Sequence, residues 1–168
     1  MAENVVAAAA PMPVAVVSNA RDVRAWAAAL DLTVLDDPGS LDLAAAAGFR
    51  WAVATGSERV VVAHADLPLA QNLLAVTIDG PRPIVTAVPC HRDDGTPVLS
   101  LPASADAFVF AYGPGSFRRH AAAARAAGLG FRVRRDGRLG RDVDAPEDLL
   151  GVALPLAGAA RRRALLGA

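Results

Sequence analysis

The stretch Asp142-Val143-Asp144-Ala145-Pro146-Glu147-Asp148-Leu149 puts two carboxylates at what reads as a strand end, followed by a turn and a helix start. Side chains at i and i+2 of a strand share a face, so Asp142 and Asp144 can aim at one point. Two converging hard oxygen ligands suit Mg²⁺, the cation that accompanies nucleotide phosphates. Pro146 fits a first helical turn, and Glu147 and Asp148 fall where the helix dipole favours negative charge. The same residues also fit a plainer arrangement, two solvated acids beside a helix cap.

Three further segments carry residues with chemical potential. In Val60-Val-Val-Ala-His64-Ala-Asp66-Leu-Pro-Leu69, Asp66 stands just past the C-terminal end of a buried strand, where open α/β sheets bind ligands. It could equally be the N-cap of a helix opening at Pro68, while His64 reads as a packed or hydrogen-bonded imidazole. Tyr112-Gly113-Pro114-Gly115-Ser116-Phe117-Arg118-Arg119-His120 is a glycine turn opening a helix. Free N–H groups there bind anions, and Ser116 adds a hydroxyl. Basic residues in a first turn oppose the dipole, and a phosphate would give them a reason to be there; an ordinary capped helix with surface arginines is the competing reading. His91-Arg-Asp-Asp-Gly95-Thr96-Pro97 is a polar loop between two strands, either a plain hairpin turn or a place where Thr96 donates to a phosphate or carboxylate. Cys90 reads as a small core residue, since no partner base accompanies it.

The elements that must position these residues alternate. Strands are expected at Val14–Val17, Thr33–Leu35, Arg59–Ala63, Pro83–Val88, Val98–Leu101 and Gly130–Arg134. Helices are expected over 21–30, with Trp26 and Leu30 on one face, and over 41–55, 68–76 and 116–127. Met1–Ala10 looks like the end of an Ala-rich helix without a cap. This order implies a mostly parallel sheet covered on both faces. The chain has 168 residues, 54% hydrophobic but only 5% aromatic, so Ala, Val and Leu must build the core of what is expected to be a single domain spanning 1–168. Zero formal net charge gives no general case for nucleic acid or an anionic membrane. A single cysteine rules out an internal disulfide, and no apolar run is long enough to span a bilayer. With no basic leader, a cytoplasmic protein is expected.

Four of these segments occur together, in this order, in a known family. Ala65-Asp66-Leu-Pro-Leu69, Gly95-Thr96, Phe110-Ala-Tyr-Gly113-Pro-Gly-Ser116-Phe-Arg-Arg-His120 with Ala126-Ala-Gly128-Leu129, and Asp142-Val-Asp144-Ala-Pro-Glu-Asp-Leu149 resemble the phospholactate/phosphoenolpyruvate guanylyltransferases of coenzyme F-420 biosynthesis. The resemblance runs from about Val14 to about Val152. The Gly-Pro-Gly-Ser-Phe…His segment is its most specific part; the Asp-Val-Asp segment is shared with molybdenum-cofactor nucleotidyltransferases. It implies a Rossmann-like nucleotidyltransferase fold, a three-layer sandwich like that of the nucleotide-diphospho-sugar transferases. It also implies Mg²⁺-dependent transfer of GMP from GTP to 2-phospho-L-lactate, phosphoenolpyruvate or 3-phosphoglycerate. By motif, Asp66, Asp142 and Asp144 would hold the metal, and Thr96, Gly113 and Ser116 the acceptor acid. Such chemistry needs charge neutralisation and in-line positioning rather than a covalent nucleophile, which agrees with the lack of a triad.

The chain also departs from the family. The family's opening strand and its Lys-(Ser/Thr)-Arg-Leu phosphate loop are not found here, and residues 1–12 look like a remnant of the helix that follows that loop. The missing strand would be central, leaving a sheet edge that invites pairing with a second copy. Asp93-Asp94-Gly95-Thr96 stands where a repeated Gly-Thr is usual, and Asp42 where an Asn is usual. The alternatives are therefore a non-catalytic remnant that keeps the acceptor pocket, or a nucleotidyltransferase of the molybdenum-cofactor type. Residues 156–168, with Arg161-Arg-Arg163, are expected to form a frayed tail.

Overall fold

A computed structural model describes residues 1–143, with 79 and 81 excepted. Asp144, the helix start after it and the Arg161–Arg163 tail lie outside the described residues. Helix α1 spans Ala2–Ala9, and strand β1, Ala15–Val17, follows it. Helix α2 (Arg21–Ala29), strand β2 (Thr33–Leu35), helix α3 (Leu41–Ala54) and strand β3 (Arg59–Ala63) follow. Strands β4 (Ile84–Val88) and β5 (Val98–Pro102) flank the polar loop, and helix α4 (Ser116–Ala126) leads to strand β6 (Gly130–Val133).

Two sheet pieces result. β1 and β2 pair in parallel, and the second piece runs in the order β3-β5-β4-β6. β4 and β6 are parallel, whereas β5 runs antiparallel to both β3 and β4, so three of these four strands point one way. Among the described residues β1 and β3 do not pair, although α3 packs on both.

Side chains alternate across the four-stranded sheet with the period of two that a strand imposes. Val60, Val85, Ala87, Leu99 and Leu101 face Ala45, Phe49 and Ala52 of α3 and Ala124 of α4. Val88 and Val98 face the other way, onto Ala9 of α1, Leu67, Leu73, Val76 and Leu139. β4 and β5 are thus buried on both faces, which explains why their sequences are apolar almost without interruption. Ser40 caps α3 by accepting from the Leu43 N–H at 3.3 Å, so the Asp-Asp-Pro-Gly-Ser loop ends where the helix begins.

Three sequence expectations change. The helix expected over 68–76 is a single 3₁₀ turn at Leu73–Val76, because Asn72 takes a left-handed φ of 47° that no continuous helix allows. On α2 the buried residue is Ala27, and Leu30 is exposed, since the helix ends one residue before it. Arg141–Val143 belong to no strand; this stretch is tethered instead by the His91 N–H donating to the Gly140 carbonyl at 2.8 Å. Gly140 is pressed into that junction, where an added Cβ would lie 2.6 Å from the Pro89 carbonyl oxygen and 3.0 Å from that of Asp136. Both obstacles are backbone. Gly140→Ala is therefore expected to destabilise the fold by about 1–3 kcal/mol, read as a lower urea midpoint; an unchanged midpoint would show that the junction yields without cost.

Candidate active site

Residues 111–115 belong to no regular element, so their backbone groups need partners from elsewhere. Gly113 and Gly115 turn the chain with φ of 96° and 73°, conformations that suit glycine. The Ala111 N–H donates to His120 Nε2 at 3.0 Å, the Tyr112 N–H to Asp42 Oδ1 at 2.6 Å and the Gly115 N–H to Asp94 Oδ1 at 3.0 Å. The Arg119 guanidinium covers the carbonyls, donating to Ala111 from Nε at 3.2 Å, to Tyr112 from Nη2 at 2.6 Å, and to Pro114 from Nη1.

This arrangement corrects one expectation about the glycine turn. The Gly115 N–H and the Phe117 N–H, which donates to the Asp94 carbonyl at 3.0 Å, are satisfied from within the protein. Arg119 stands in the first turn of α4 because the carbonyls behind it require a donor, and no phosphate is needed to explain it. Asp94 and Asp42, the positions that depart from the family, are the carboxylates that fasten this turn to the polar loop and to α3. Neither departure leaves its loop without support.

Thr96, Ser116 and His120 meet inside the turn, each 2% exposed or less. The Ser116 hydroxyl lies 3.4 Å from Thr96 Oγ1, and His120 Nδ1 lies 3.1 Å from the same oxygen. The imidazole stacks on Phe108 and meets the Tyr112 ring edge-on, with centroids 5.9 and 4.8 Å away. Burial pushes it down from the ordinary 6.5 to about 4; the Asp42 charge opposes this shift, while Arg119 and His64 add to it. Burial, with Asp42 second, raises the Tyr112 phenol well above its usual range. Both rings are therefore neutral at physiological pH.

One carboxylate borders this centre, and a second follows a histidine packed on Tyr112. Asp142 is 7% exposed and faces His91 Nδ1 at 3.5 Å. A Cβ added to Gly95 would sit 3.9 Å from Asp142 Oδ2, so this acid borders the Gly95–Thr96 loop. That loop is closed by Cys90, whose buried sulfur accepts from the Gly95 N–H at 3.1 Å. Asp66 follows His64, whose N–H donates to the Pro97 carbonyl at 2.9 Å and whose ring lies 5.3 Å from that of Tyr112. With no helix at Pro68, Asp66 is not an N-cap, and its buried Oδ1 has no hydrogen-bond partner among the described residues. His64 Nε2 and the Tyr112 hydroxyl are buried in the same condition. No three His, Cys, Asp or Glu side chains among the described residues form a metal-binding group, and Asp144 lies outside them. A separate cavity of about 440 Å³ opens between α1 and Pro68–Asn72, the segment that leaves Asp66.

Residues 1–164 match the family described as guanylyl transferase, CofC like. The chain belongs to this family. It is 40% identical over 96 residues to a phosphoenolpyruvate guanylyltransferase of Roseiflexus sp. (strain RS-1), covering 55% of this chain and 42% of that one. An enzyme of the same name from Rubrobacter xylanophilus is 35% identical over 114 residues, covering 65% of this chain and 54% of the relative. The chain spans about half the length of the curated relatives it matches. Its fold is that of a solved Desulfovibrio desulfuricans G20 protein assigned as a nucleotide-diphospho-sugar transferase. That likeness has a TM-score of 0.62 and 15% identity, over 80% of this chain and 64% of the other. The nucleotidyltransferase architecture implied by the motifs is therefore present in this guanylyltransferase-family chain.

Sequence reasoning did not assign His120, Arg119, Asp42 or Asp94 to the framework of the site. A signal existed for His120: it follows Ser116 by four residues, which puts both on one helix face. Nothing local marks Asp42, which is 70 residues from its partner. The His120 shift has a consequence for stability. The unfolded chain takes up this proton near pH 6.5 and the native protein only near 4, so stability is lost as pH falls through that window. Urea midpoints measured from about pH 7 down to about pH 4.5 should fall in the parent protein and fall less in His120→Gln; parallel curves would contradict the assignment.

Proposed function

We propose that this chain carries the acceptor half of a guanylyl-transfer site and takes part in moving GMP from GTP to a small phosphorylated acid. The observation that supports the reading most is the buried Thr96–Ser116 hydroxyl pair, 3.4 Å apart inside the glycine turn, with the Asp142 carboxylate bordering the adjoining Gly95. Hydroxyl donors in a loop bordered by a carboxylate suit a ligand that is itself anionic and travels with a cation. Phosphoenolpyruvate, 2-phospho-L-lactate and 3-phosphoglycerate have that character, and relatives named phosphoenolpyruvate guanylyltransferase favour the first.

In the reaction an oxygen of the acceptor's phosphate attacks the α-phosphorus of GTP, the bond to the β-phosphate breaks and pyrophosphate leaves. No proton has to be removed from the attacking oxygen, so the chain needs no general base at that point. Thr96 and Ser116 would hold the acid by hydrogen bonds, and the open turn at Gly113 lets the backbone approach it. Asp66, Asp142 and Asp144 would hold Mg²⁺, which neutralises charge on the phosphates. The buried Oδ1 of Asp66, without a hydrogen-bond partner among the described residues, and the buried Asp142 fit that role, being hard oxygen donors. Product formation belongs, on this reading, to the biosynthesis of coenzyme F-420.

The break between β1 and β3 favours a second reading, in which the chain keeps the acceptor pocket without productive use of GTP. Calorimetry with each of the three acids, beside an assay of pyrophosphate release from GTP, separates the two. Binding with release supports transfer, binding without release supports the remnant, and binding of none overturns both. Ser116→Ala should weaken the acid about tenfold and leave GTP unchanged, whereas the opposite pattern would reassign the turn to the nucleotide. Where release is measurable, Asp142→Asn should reduce it on the order of 100-fold, and retained turnover would remove Asp142 from the metal.

A further inference from the structure

His120 is buried, polar on both edges and placed one hydrogen bond behind the residues assigned to the acceptor. Its two nitrogens are fixed by different partners. The Ala111 N–H can only donate, so Nε2, 3.0 Å away, must be the accepting nitrogen. In a neutral ring the proton is then on Nδ1, and Nδ1–H donates to Thr96 Oγ1 at 3.1 Å. A hydroxyl so engaged has one lone pair filled and its own hydrogen still to place. Thr96 either gives that hydrogen to Ser116, 3.4 Å away, or accepts from Ser116 and turns its own hydrogen elsewhere.

In both cases the pair retains one O–H that no group in the trio consumes. The opposite tautomer would change the outcome. With Nδ1 as an acceptor, the Thr96 hydrogen would point back at the ring. With the Ser116–Thr96 bond kept, Ser116 would spend its hydrogen on Thr96, and the pair would meet an anion with lone pairs alone. The Ala111 amide, a main-chain group one residue before the glycine turn, thus decides how many hydrogens the site offers.

We propose that His120 is a positioning residue, held as the Nδ1–H tautomer by the Ala111 amide, which keeps the Thr96–Ser116 pair facing its ligand as donors and so favours an anionic acceptor. The inference rests on the reading of that pair as the acceptor site, and it adds the group that sets their polarity. Phe108 and Tyr112 enclose the ring so that water cannot replace either bond.

Two substitutions separate the edges of the ring. The amide of Gln reaches the depth of Nε2 and keeps an acceptor for Ala111 but loses the donor to Thr96. The amide of Asn lies at the depth of Nδ1 and restores that donor. Phosphoenolpyruvate, phospholactate and phosphoglycerate are titrated by calorimetry into the parent protein and both variants, with thermal melting to verify folding. Long-range proton–nitrogen NMR of the histidine rings, assigned by loss of the His120 signals in the variants, reports the tautomer independently of any ligand. The expected result is an Nδ1–H ring, an acid dissociation constant raised about tenfold in His120→Gln with GTP binding unchanged, and recovery of most of that loss in His120→Asn. An Nε2–H ring overturns the inference whatever the protein binds. If the parent binds an acid and folded His120→Gln binds it equally well, the acceptor reading stands and the inference about His120 falls. If the parent binds none of the three, the acceptor reading itself falls, and the inference with it.

Discussion

The structure around the site depends on satisfying the backbone of residues 111–115. These residues follow an irregular stretch after β5, turn twice through left-handed glycines and enter α4 without a ladder or helix to absorb their N–H and C=O groups. A buried or half-buried amide without a partner costs more than an ordinary hydrogen bond returns. The partners are side chains brought from three places: Asp42 from the start of α3, Asp94 from the β4–β5 loop, and His120 and Arg119 from α4. Together they secure the turn to α3, to the β4–β5 loop and to α4, so its position is set by several parts of the fold.

On the proposed reading, the consequence is a site with two chemical sides. One side is the Thr96–Ser116–His120 trio, hydroxyls backed by a neutral imidazole. The other is carboxylate, with Asp142 beside Gly95 and Asp66 at the end of β3. Donors beside acids would accommodate an anion and a cation together, the combination that the proposed phosphoryl chemistry requires. Aromatic packing of Phe108, Phe110 and Tyr112 keeps the donor side dry and holds His120 uncharged. A charged imidazole there could no longer accept from Ala111, and the turn would lose one of its fastenings.

The sheet carries these sides in register. β5 runs antiparallel between β3 and β4, so the loop from β4 returns beside the end of β3, and Thr96 and Asp66 come from neighbouring strand ends. A one-residue slip in β5 would turn Leu99 and Leu101 away from Phe49 and bring the hydroxyl of Ser100 into the apolar set they complete. The same burial that stabilises β4 and β5 therefore fixes where the polar loop emerges.

Much of this was legible in the residues themselves. Val-rich runs gave β3 to β6 to within a residue or two, Ser40 and the Ala-rich stretch gave α3, and the Gly-Pro-Gly-Ser turn gave the start of α4. These signals are local, written in side-chain period, capping and backbone freedom. The helix expected after Pro68 failed because Asn72 adopts a left-handed conformation, and that choice is made by its surroundings. The sequence by itself determined the inventory: which residues could bind a cation, an anion or a turn, and which family they recur in. Only the tertiary structure decided how they are used, because partners 70 residues apart, such as Asp42 and Tyr112, share no local period or motif. The tautomer of His120 and the return of Arg119 onto its own turn are of the same kind, fixed by which backbone groups burial leaves unpaired.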